Sequence, residues 1–115
     1  MEDKKVKPLS PDEVVNAKQY QIPDEVISAF NTLITKNFYG QSAYFKQDDV
    51  IDEIINNLKS MGKYTDTIKE TIRGIIFDSH WLDVEDIFKE VGWIVKHDQP
   101  DIGESYDTLF TFKKK

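Results

Sequence analysis

The chain contains no cysteine, so disulfides, thiolate metal sites and cysteine nucleophiles are all excluded. That is compatible with a reducing cytoplasm, where we expect the protein to work. Only two histidines are present, which leaves little imidazole for acid–base chemistry or metal binding. Five scattered glycines form neither a G-x-G-x-x-G nor a P-loop, so no phosphate cradle is encoded. There is no G-x-S-x-G nucleophile elbow. No apolar run approaches the roughly 18 residues of a membrane span, and no signal-peptide core opens the chain, so no membrane segment is expected. Positive charge is also short: 15 Lys and Arg face 21 Asp and Glu, a net charge of −6. A free-standing duplex-DNA binder normally carries a basic face that neutralises phosphates. Only a local basic patch could serve that purpose here.

What the chain does have is aromatic residues, with two Trp, five Tyr and seven Phe in 115 residues. These can furnish one core, so the 31% charged content does not imply disorder. A mobile tail over residues 1–9 followed by one domain over 10–115 is expected. The last third organises the rest. Leu82, Val84, Ile87, Phe88 and Val91 predict one helix running on from Ser79, closed by Gly92 as a C-terminal cap. Trp93 to His97 and Tyr106 to Lys113 predict two strands. Helix, strand, loop, strand is the closing half of a winged helix-turn-helix.

Upstream, Ser10-Pro11-Asp12-Glu13 predicts a short extra helix with a capping box and a weak apolar face of Val14, Val15 and Ala17. Pro23 opens the next helix, and Val26, Ile27, Phe30, Leu33 and Ile34 give it a continuous stripe ending near Asn37, with Gly40 just beyond. Gln41 to Gln47 predicts a short strand that pairs with the later ribbon. Asp48 is placed to cap a helix striped by Val50, Ile51, Ile54, Ile55 and Leu58 and stopped by Gly62, with Asp49, Asp52 and Glu53 on its wet face. Thr67 and Glu70 read as a second capping box, before Ile68, Ile72, Ile75 and Ile76. The expected fold is α+β: a winged helix-turn-helix-like body of helices followed by a C-terminal β-hairpin, the wing, with a short extra N-terminal helix.

Ile22 to Ile34 (I-P-D-E-V-I-S-A-F-N-T-L-I), Ser42 to Val50, Trp81 to Lys96 and the ending E-S-Y-D-T-L-F-T-F-K-K-K resemble segments of small uncharacterised proteins of tailed bacteriophages. The resemblance spans residues 22–115 and departs at Ser60 to Gly74, which is longer here. It implies a phage origin, a role in host takeover and a location in the cytoplasm of the infected bacterial host. It transfers no functional residue.

Two surfaces compete for function. The segment Asp78 to Glu90 holds five acids against one lysine, Lys89, and the loop and flank beyond it add Asp98, Asp101, Glu104 and Asp107. Both elements that would approach phosphates in a winged helix would repel them. Asp83, Glu85, Asp86 and Glu90 are therefore read as a protein-binding face for a host or phage protein, against the plainer reading that acid keeps a small protein soluble. The alternative is a nucleic-acid-binding regulator using Lys59, Lys63, Lys69 and Arg73. For metal, Asp78, His80 and Asp83 with a distant His97 lack ligand spacing and read better as helix-start and strand-end residues. The D-x-x-D-x-G-E run from Asp98 fails as a calcium loop because Pro100 and Ile102 stand where oxygen ligands belong; a turn at Pro100 and Gly103 fits better. Trp81, Trp93, Tyr106, Phe110 and Phe112 could stack on single-stranded bases, but hairpin aromatics backed by a helix are ordinarily core. Phe110 and Phe112 are expected buried with Trp93; Tyr39, Tyr44 and Tyr64 are the better exposed contacts. The expectation is a non-enzymatic protein without cofactor, metal or membrane partner.

Overall fold

The computed structural model describes residues 8, 10, 11, 22–100 and 107–115. The tail apart from Pro8, the extra helix around Glu13 to Ala17, the turn at Gly103 and the strand start at Tyr106 lie outside the described residues.

Helix α1 runs Asp24–Asn37 behind an extended Pro23, with Asp24 and Glu25 against its positive end and Lys36 in the last turn. Its stripe buries Val26, Ala29, Phe30, Leu33 and Ile34. Strand β1, Phe38–Tyr39, turns at Gly40, whose φ of +67° suits glycine, into β2, Ser42–Lys46. Helix α2 follows directly as Gln47–Ser60. Asp48 was the expected cap; Lys46 holds that position instead, because the Gln47 N–H already donates to the Thr108 carbonyl at 2.8 Å. All five expected apolar residues of α2, Val50, Ile51, Ile54, Ile55 and Leu58, are buried.

Helix α3, Lys69–Asp78, corrects two expectations. Ile68 is its N-cap in extended backbone, so the Thr67–Glu70 capping box does not form. That geometry turns Ile68 off the inner stripe and leaves it 65% exposed, while Ile72 and Ile76 are fully buried. The single helix expected from Ser79 through Val91 is also revised. His80 adopts a φ of +57°, and the Trp81, Asp83 and Val84 N–H groups bond back to Ile76, His80 and Leu82. Only Glu85–Glu90 is helical, as α4. Leu82 and Val84 are buried because the turn folds them inward; their two-residue spacing was never a helical period. Val91, expected on the stripe, is exposed.

Strand β3, Trp93–Asp98, and strand β4, Leu109–Lys114, complete an antiparallel sheet of order β1-β2-β4-β3. The expected pairing of the 41–47 segment with the ribbon is present as Ser42–Lys46 against Leu109–Lys113. Successive strand residues point to opposite faces. One face therefore carries Ala43, Phe45, Val95, Phe110 and Phe112, all buried under the helical layer. Phe30 of α1 sits at its centre, edge-on to Phe110 at 5.0 Å, with the Phe45, Phe88 and Phe112 rings centred 6.2, 6.0 and 5.9 Å away. Trp93 is half-buried against Phe112. The protein is thus α+β, with four helices on one side of a four-stranded sheet among the described residues.

Candidate binding surfaces

Charge on the described residues separates into groups that neutralise one another and groups that do not. The basic segment belongs to the first kind. Lys63 Nζ meets Glu25 Oε2 at 2.8 Å, Lys69 Nζ meets Asp52 at 3.2 Å, and the Arg73 guanidinium meets Asp48 at 2.8 Å while lying over the Phe77 ring. Lys59 Nζ donates to the Thr67 carbonyl at 3.1 Å. These contacts close the seam between α2 and α3 and anchor the loop between them. Asp52, which the helical pattern gave to solvent, is thus part of that seam. Glu25 is buried, and the Lys63 hydrogen bond, helped by a backbone N–H, holds its carboxyl below the usual carboxylate range; Lys63 is raised in turn.

Asp83, Glu85, Asp86 and Glu90 are different. The turn after α3 carries Asp83, and α4 carries the other three, with Glu85 and Asp86 in its first turn. Asp83, Asp86 and Glu90 are exposed and Glu85 half-buried. Among the described residues none of the four has a Lys or Arg within ion-pair distance; only His80 Nδ1 approaches Asp83, at 3.7 Å. Their mutual repulsion is left to water and salt.

The sheet's other face gathers residues that no local sequence pattern brings together. Tyr39, Ser42, Lys113 and Ile94 form one cross-strand row, Tyr44, Thr111 and Lys96 a second, and Lys46, Leu109 and Asp98 a third. Tyr39 and Tyr44 are 89% and 64% exposed, as their sequence context suggested. The lysines are legible in the same two-residue alternation that buries Phe110 and Phe112, once the strands are known to share a sheet. Lys46 pairs with Asp107 at 3.1 Å, which raises its pKa. Lys96 and Lys113 form no ion pair among the described residues.

His97 lies on the inner face, stacked on Phe110 at 4.1 Å, and its Nε2 donates to Gln47 Oε1 at 2.8 Å. Burial pushes its pKa down despite the nearby carboxylates of Glu85, Asp83 and Asp98. It is remote in role from His80, and the described residues contain no group of three His, Cys, Asp or Glu able to hold a metal ion. An open cleft between the start of α1 and the end of α2 is lined by Pro23, Asp24, Ser28, Asn57 and Met61 beside the Glu25–Lys63 pair. Among the described residues no helix is long and apolar enough to cross a membrane. No protein-family model, curated protein or solved structure matches the chain.

Proposed function

We propose that this is a non-enzymatic, winged-helix-like interaction protein whose acidic turn and α4 dock a basic segment of another protein. The observation that carries the reading is the contrast in pairing: Asp83, Glu85, Asp86 and Glu90 lack a Lys or Arg partner among the described residues, whereas Lys63, Lys69 and Arg73 are each held by an acid. The winged-helix assignment is supported by β4 lying between β2 and β3, with α2, α3 and α4 inserted between β2 and β3 in the chain. In duplex-binding members of that architecture, the element before the hairpin enters the major groove. Here that element offers carboxylates, which suit lysine and arginine on a protein partner and give on-rate and specificity. A duplex-binding role through Lys59, Lys63, Lys69 and Arg73 would first have to break three ion pairs. The resemblance to small phage proteins supports a host or phage protein as the partner, met in the cytoplasm of an infected bacterium.

The test pairs a bacterial lysate with an arginine-rich peptide as probe. The wild-type chain should retain one discrete protein and bind the peptide with an affinity that falls as salt rises. The triple reversal D83K/E85K/D86K should lose both while its circular dichroism stays unchanged. Retention by the folded triple variant, or tight salt-sensitive binding of random duplex DNA by the wild type, would overturn the reading.

A further inference from the structure

The outer face of the sheet is a second surface, independent of the acidic one. No described helix packs on it, since α1, α2 and α4 meet β2 and β3 through the buried set on the other side. In a chain of net charge −6 it carries, among the described residues, Lys96 and Lys113 with no ion pair, and Lys46 held by Asp107, with Asp98 as the other acid. Lysines on the wet side of an antiparallel sheet are ordinary. Two tyrosines exposed at 89% and 64%, beside an Ile94 exposed at 48%, are less so. Tyr39 stands opposite Ser42, so it is the diagonal neighbour of Tyr44, within roughly 7–8 Å.

We propose that this face is a stacking platform for single-stranded nucleic acid, with Tyr39 and Tyr44 taking bases and Lys96 and Lys113, unpaired among the described residues, following the phosphates. Charge complementarity selects a polyanion. The tyrosines select one with exposed flat rings, because an aromatic side chain stacks on any base that is free of its own duplex. In the row Tyr44, Thr111, Lys96, the aromatic and the cation stand two strand spacings apart, roughly 10 Å. Thr111 lies low between them and is itself half-buried, so a backbone can cross without obstruction. Duplex DNA is a poor fit. Four strands span roughly 14 Å, whereas the major groove is about 12 Å wide and admits a helix or a two-stranded ribbon. An acidic peptide would engage the lysines and leave both tyrosines idle. A second copy of this face would set lysine against lysine.

The experiment is fluorescence anisotropy of the full chain with a labelled mixed-sequence single-stranded oligonucleotide, as DNA and as RNA, with the matching duplex and polyglutamate as competitors. The single strand should bind with a log–log salt slope of about −1.4, the value for two lysine contacts. Duplex and polyglutamate should compete poorly. Each of Tyr39→Phe and Tyr44→Phe should bind nearly as wild type, each of Tyr39→Ala and Tyr44→Ala should lose roughly tenfold, and K96E/K113E should abolish binding with the thermal midpoint unchanged. No binding of either single strand at low salt would overturn the proposal. So would binding indifferent to the tyrosine and lysine variants, or better competition by duplex or polyglutamate.

Discussion

The Glu25 carboxylate and the Lys63 ammonium meet at 2.8 Å and tie the first turn of α1 to the loop beyond α2. Asn57 adds a second tie, its Nδ2 donating to the Glu25 carbonyl at 3.0 Å. Glu25 is buried and its pKa lies below the ordinary 4.5. A lowered carboxyl pKa contributes stability that is complete above pH 4.5 and is lost as pH falls through the native value. Urea unfolding should therefore show the wild type losing stability on acidification below pH 4.5. Glu25→Gln should be less stable at neutral pH and show a smaller acid loss; an equal acid loss in both proteins would count against the ion pair as a stabilising contact.

His97 gives the opposite group type with the same direction of effect. Its neutral ring is half-buried against Phe110 and its pKa is lowered from 6.5. The unfolded chain then binds the proton first, so stability is complete above pH 6.5 and declines below it until the native ring also protonates. His97→Phe keeps an aromatic ring against Phe110 and removes the titration. Its denaturation midpoint should be flatter than the wild type's just below pH 6.5.

Phe30 touches four rings of the core and is fully buried. Phe30→Ala should cost about 3–5 kcal/mol by lost burial and cavity formation. For a domain this size that is a large share of the total, so a broad or absent thermal transition is the expected readout.

Gly74 and Gly92 should respond to alanine with opposite signs. Gly74 lies within α3, and a methyl group added there would meet nothing within 4 Å, so Gly74→Ala should stabilise by about 0.5–1 kcal/mol. Gly92 joins α4 to β3 at a φ of +108°, where Gly92→Ala should cost about 1 kcal/mol or more despite equal room. Chemical denaturation of both variants checks the pair.

Elements with a sustained period were legible in the sequence. The stripes of α1 and α2 are buried almost residue for residue, and the alternation around Phe110 and Phe112 marked the correct inward face. The segment from Ser79 to Val84 misled because Leu82 and Val84, two apart, fit a loose helical stripe as well as a turn that points both inward. His80 supplied no glycine or proline to mark the left-handed residue. The surfaces were harder still. Whether Lys63, Lys69 and Arg73 are available depends on Glu25, Asp52 and Asp48, which lie 38, 17 and 25 positions away in the chain. The tyrosine and lysine face depends on which strands are neighbours, and no local pattern states that.

The strand order has a consequence for synthesis. β4 lies between β2 and β3, yet it is the last of the four to be translated. Until Leu109–Lys114 leaves the ribosome, β2 and β3 each present a bare hydrogen-bonding edge, and the pocket for Phe110 and Phe112 is empty. Folding is thereby coupled to synthesis of the chain through Lys114. A nascent chain arrested before Leu109 should remain open to proteases and to chaperones that hold exposed strands.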